Sequence, residues 1–131
     1  MSNLTYDGIE QAMKDAVPEV QDRYPELLRW HTDPPGLYTL FSQVLKPVLL
    51  PALSSGSDPA LLKRIFDFFE AMAGSSDVQV RNLLQVEILE QLVNDKTKLS
   101  SAWPHMGEAT RKIVQETARI WRCEENLPEE E

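Results

Sequence analysis

A chain of 131 residues with 42% hydrophobic content is long enough for one domain with a continuous core, and needs no disulfide or metal to hold it together. Thirteen basic against twenty-one acidic side chains leave a net charge of −8, which opposes binding to a phosphate backbone and favours solubility or a basic partner. The single cysteine, Cys123, excludes an intramolecular disulfide and any cysteine-built metal cluster.

Acidic residues stand near the N-terminus where a signal peptide carries basic ones, and no uninterrupted apolar core follows, so the expected compartment is the cytoplasm with no membrane contact. Ile9, Met13, Ala16 and Val17 recur at helical spacing behind the caps Asn3 and Thr5, and Pro18 ends the run, which predicts a helix over about residues 4–16. Pro25 opens a short helix with Glu26 in its first turn and Leu27, Leu28 and Trp30 as contacts, before Asp33-Pro34-Pro35-Gly36 forces a break. GLYTLFSQVLKPVLLPAL is apolar at Leu37, Leu40, Phe41, Val44, Leu45, Val48 and Leu49, the pattern of a helix face that Pro47 should kink or restart.

Asp58 caps the next helix with Pro59 at its first position. Its wheel is clean: Leu61, Leu62, Ile65, Phe66, Phe68, Phe69 and Met72 fill one arc, and Lys63, Arg64, Asp67 and Glu70 the other, with Lys63 and Asp67 spaced to pair. SSDVQVRNLLQVEILEQL begins like an alternating strand, but it runs without a turn far beyond the usual ~5–6 residues of a strand. Helix is the better reading, with Asp77 or Ser76 as its cap and Val80, Leu83, Leu84, Ile88 and Leu92 as its stripe. Val86, Leu89 and Val93 widen that stripe, so this helix is expected at the centre of the fold. A polar break, a short turn of helix and Pro104 follow, and then a last helix from about Gly107 to Arg122 that buries Ile113, Val114, Ala118 and Trp121, with Met106 at its start.

The fold class expected is therefore all-α: a compact bundle of five to six helices over residues 1–123, containing one antiparallel pair at 59–94. In that pair Asp77, Val80 and Arg81 stand like the D-x-x-V-R of a HEAT-type repeat. Charge is uneven: residues 96–122 hold two acids and six bases, and 123–131 hold five acids and none. The segment 124–131 is expected to be a disordered acidic tail, or else an arm that folds onto its own basic helix or onto a basic partner.

No reactive constellation emerges. His31 and His105 fit no metal-ligand spacing, Cys123 has no second cysteine and only Arg119 and Arg122 to lower its pKa modestly, and five glycines are too few for a phosphate-cradling loop. Glu87 and Glu90 could face Glu70 or Asp67, but the Glu-x-x-His of a di-iron bundle is missing, because Val93 stands where the histidine belongs. Glu87 lies inside the apolar stripe, so a structural partner such as Arg64, Arg81 or Arg111 is expected for it. The expectation is a protein that is not an enzyme and has no cofactor.

YPELL, GLYTLFSQVLKPVL, LLKRIFDFFEAM, the loop with D-V-Q-V, ILEQL and MGEATRKI together resemble a family of small bacterial all-helical proteins of uncharacterised biochemistry. The likeness spans about residues 18–115, and FDFFE with EILEQL is its most specific part. Some relatives in that family look like toxin-immunity proteins, and it offers no catalytic residues to carry over. The resemblance implies an immunity protein that binds and neutralises a cognate toxin domain; the alternative is a HEAT-like adaptor or regulatory subunit with no toxin. For a partner surface the expected residues are Glu90, Asn94, Asp95 and Glu108 with the terminal Glu129, Glu130 and Glu131.

Overall fold

The computed structural model describes residues 4–29 and 36–128. The expected contacts of Trp30, the break at Asp33-Pro34-Pro35, the cap Asn3, His31 and the glutamates 129–131 lie outside the described residues. Among the described residues there is no strand and the fold is all-α, with seven α-helices. They are α1 (Ile9–Ala16), α2 (Tyr24–Arg29), α3 (Leu37–Ser55), α4 (Pro59–Ala73), α5 (residues 78–93), α6 (Lys96–Ala102) and α7 (Glu108–Ile120). The count exceeds five to six because the short turn of helix expected before Pro104 closes as a helix of its own, α6.

Aspartate caps punctuate the chain. Asp58 accepts from the Leu61 amide at 3.1 Å, with Pro59 opening α4, and Asp77 accepts from the Gln79 amide at 3.0 Å to open α5. Asp77 does more than cap: its second oxygen accepts the Tyr6 amide at 2.9 Å and ties the N-terminal turn to the α4–α5 loop.

The core follows the apolar arcs. Every arc residue expected on α4 is buried, and Phe66 packs edge-on to Phe69 at 5.3 Å and 83°. Burying side chains of that size stabilises by about 1.5–3 kcal/mol each. The α5 stripe is buried as well, and α5 lies against α4, α6, α7 and the middle of α3, which makes it the central helix. Val86 differs: it is 43% exposed. On α7, Val114 and Ala118 are buried but Trp121 is 52% exposed, against expectation, because α7 ends at Ile120 and the chain turns away there.

Pro47 does not restart α3, which runs on through it. The turn before it widens to π geometry over Phe41–Leu45, and the Lys46 amide donates five residues back to the Phe41 carbonyl. A helical proline lacks a donor and crowds the carbonyl four residues earlier; a widened turn relieves the crowding. Residues Gln85–Leu89 of α5 widen in the same way, and the two widened turns lie against each other. By length and composition α3 could cross a membrane; here Phe41, Val44, Leu45 and Leu49 of that helix are buried in the core.

The acidic tail does not begin as a loose end. Residues Glu124–Asn126 form a 3₁₀ turn, Leu127 packs on the core, and the Asn126 side-chain amide donates to the Val93 carbonyl at 2.8 Å. That carbonyl is one of the four that a helix C-terminus leaves unpaired, which is why a polar segment finds a place to dock.

Candidate partner interface

The structure separates the residues expected to form one partner surface. Thr110 of α7 bonds Glu70 near the end of α4, Thr117 meets Gln85, and Asn126 reaches Val93, so α7 runs alongside α5 in the same direction. Glu108 thus lies at the end of α7 opposite Glu90, Asn94 and Asp95, roughly 20 Å away at the rise of a helix. Two of those three residues have local work. Asn94 donates to the Glu90 carbonyl at 2.7 Å, and Asp95 accepts the Lys98 amide at 3.1 Å as the cap of α6. Of those three, Glu90 is the one whose side chain, half-buried, makes no hydrogen bond or ion pair among the described residues, and exposed Glu108 likewise makes none.

Glu70 has a role that helix periodicity does not reveal. The N-cap of α7 is Gly107, which has no side chain to offer, and Glu70 supplies one from another helix. Its oxygens accept the Ala109 and Thr110 amides at 2.9 Å each and the Thr110 hydroxyl at 2.7 Å. Burial pushes this carboxyl up, and the Thr110 and Ala109 bonds outweigh it, holding the group below the usual carboxylate range. A β-carbon on Gly107 would fall within 3.0 Å of the Glu70 carboxylate, so the glycine is needed for close approach. A carboxylate anchored in this way does not act as a free acid or base.

Glu87 has a structural partner, but none of the three arginines expected. Arg64 forms a two-pronged pair with Glu19 at 2.9 and 2.6 Å, Arg81 donates to the Ser75 carbonyl, and Arg111 lies over the Trp103 ring and bonds its carbonyl. Lys46 takes the position instead, 3.3 Å from Glu87, with both side chains largely shielded. It sits just after the widened turn of α3, which faces the widened turn carrying Glu87. Helix periodicity could not foresee a register set by two π turns. Lys63 and Asp67 do pair, at 2.8 Å in the open.

The remaining reactive side chains are quiet. His105 stacks on Phe66 at 5.6 Å and 26°. Cys123 is buried, and burial, with Glu125 and Glu124 beside it, pushes its thiol up; the neighbouring arginines do not lower it as expected. Arg122 holds a left-handed backbone, φ 55°, in the position helix ends reserve for glycine. The Cys123 amide bonds the Ala118 carbonyl and the Arg122 amide the Arg119 carbonyl, which closes α7.

One concavity was not foreseen. The 3₁₀ segment Pro18–Arg23 and α2 stand away from the C-terminal half of α3, leaving an open cleft of about 700 Å³. Glu19, Asp22, Glu26 and Asp58 line it with Arg23, and Val48, Pro51 and Leu61 give it an apolar floor. The legible signal was the spacing of three acids at 19, 22 and 26 opposite two prolines one helical turn apart, 47 and 51.

These features define a small all-helical domain whose half-buried Glu70 and Glu87 carboxylates are structural. The chain belongs to the family described as a domain of unknown function (DUF7674), which matches residues 10–122. No curated protein and no solved structure matches the chain.

Proposed function

We propose that this protein is a cytoplasmic immunity protein that binds a cognate, basic bacterial toxin domain and blocks its active site or the access to it. One observation carries the reading: the acidic surplus is not consumed inside the fold. Of the twenty-one acidic residues, seventeen are among the described residues, and five of these, Glu10, Glu19, Asp67, Glu87 and Asp95, sit in ion pairs there. A rigid helical scaffold with outward carboxylates can steer a basic partner and bind it fast. The likeness of the helix pair FDFFE and EILEQL to relatives that look like immunity proteins adds to it.

Co-expression with the product of the gene immediately upstream is the test. A complex that survives purification, and growth restored by this chain, are expected; no complex and no rescue would sink the idea. The α4–α5 hairpin, with Asp77, Val80 and Arg81 in their HEAT-like places, favours a second reading as an adaptor or regulatory subunit. A metabolic operon around the gene would support that one.

A further inference from the structure

The cleft beside α3 has a feature that acidity alone does not supply. In a regular helix the carbonyl of residue 47 accepts the amide of residue 51, and residue 51 is proline, which has none. The Pro47 carbonyl is therefore left without its helical donor, at the wall of the cleft. Arg23 compensates: its guanidinium donates to that carbonyl at 3.5 Å, a long contact from an exposed side chain. The protein's own cation thus rests in a cleft whose lining carries four carboxylates against that one charge. Arg64 neutralises one of them, Glu19. Asp58 is engaged in capping α4, while Asp22 and Glu26 are exposed.

We propose that this cleft takes a basic, partly apolar segment of a partner protein. The partner's arginine or lysine displaces Arg23 from the Pro47 carbonyl, Asp22 and Glu26 provide the countercharge, and the aliphatic stem lies on Val48 and Pro51. An arginine or lysine suits such a place because its stem is apolar and its head charged. A purely anionic or purely apolar occupant fits neither the rim nor the floor. The proposal deepens the function above and rests on the basic character of that partner; it assigns the contact to residues 19–26 and 47–58, away from Glu90, Asn94 and Asp95.

The experiment is a titration of the isotope-labelled full chain with a short amidated peptide of alternating arginine and leucine, followed by amide NMR shifts. A peptide of alternating glutamate and leucine serves as control. Saturable shifts at Arg23, Val48, Ala52 and Ser57 are expected, with affinity falling about tenfold or more in Asp22→Lys/Glu26→Lys as two countercharges become repulsive. Arg23→Gln should bind severalfold tighter, because it removes the resident competitor and its charge. That gain separates an occupied docking site from a merely structural contact.

Equal affinity in all three proteins, shifts centred on Glu124–Asn126, or no saturable binding would overturn the proposal. The same variants in the growth-rescue assay separate the two claims. Rescue untouched by Asp22→Lys/Glu26→Lys removes the cleft and leaves the immunity reading standing. Peptide binding without rescue supports the cleft and ends the toxin reading.

Discussion

The carboxylate of Glu70 and those of Asp22 and Glu26 are the same chemistry put to opposite uses. Glu70 is half-buried and meets three donors at the start of α7, so its charge is spent on holding α4 to α7. Asp22 and Glu26 are exposed at the rim of a cleft and accept no hydrogen bond among the described residues. The difference teaches that a carboxylate's role follows from the donors within reach. Where donors converge the group is architecture, and where none do it is available to a partner.

The comparison breaks first at Glu70. Glu70→Ala removes charge-assisted bonds to two amides and a hydroxyl, leaving the first turn of α7 uncapped at a glycine; a loss of about 2–3 kcal/mol is expected in urea unfolding. The pH dependence has a definite sign. Because the folded carboxyl is held below the value of a glutamate in the unfolded chain, its stabilisation is fully present above that unfolded value and is lost as pH falls through the lower folded one. Wild-type stability should therefore decline below about pH 4.5, with Glu19 contributing in the same direction through its Arg64 bond. In Glu70→Gln the decline should be shallower, and an unchanged slope would show that Glu70 does not carry it.

Gly107→Ala approaches the same contact from the other side. The backbone there is extended, φ −81° and ψ 179°, so alanine meets no torsional strain, only the Glu70 carboxylate within 3.0 Å of its β-carbon. The side chain could swing aside only by giving up its three bonds, so a cost of about 1–2 kcal/mol is expected. In a Glu70→Ala background the same substitution should be nearly neutral, and a double-mutant cycle measures that coupling. Additive losses would mean that glycine is needed there for another reason.

At the other end of α7 the expected effect is smaller and of opposite sign. Arg122 sits at φ 55°, where a β-carbon costs about 1 kcal/mol and glycine costs nothing sterically. Arg122→Gly should stabilise by about 0.5–1 kcal/mol, less what the looser unfolded chain takes back. A thermal melt that shifts downward instead would show that the arginine side chain makes a contact worth more than the strain.

Local rules reached far into this fold. Helix periodicity identified the buried arcs of α4 and α5, and proline position with aspartate chemistry placed the caps at Asp58 and Asp77. These succeed because a cap or a stripe is settled within one or two turns of chain. What escaped depends on residues far apart. Glu70 reaches residues 109 and 110, Lys46 meets Glu87 across two widened turns, and Asn126 fills a vacancy left by Val93. Trp121 was misplaced because the helical wheel was continued one residue beyond the end of α7. The local bonds of Asn94 and Asp95 were equally hidden from the wheel, because helix ends impose their own hydrogen-bond demands.

The smallest expected effect is the most telling one. Asp22→Ala/Glu26→Ala removes two exposed carboxylates that anchor no helix, so unfolding free energy should change by no more than about 0.5 kcal/mol per site. A small gain is equally consistent, since the chain carries a surplus of eight negative charges and shedding two lowers its self-repulsion. If the pair instead costs as much as Glu70→Ala, the rim is part of the architecture and the contrast between the two kinds of carboxylate fails. If stability holds while the arginine–leucine peptide loses its site, these two carboxylates act in binding and not in holding the fold, which is the contrast with Glu70.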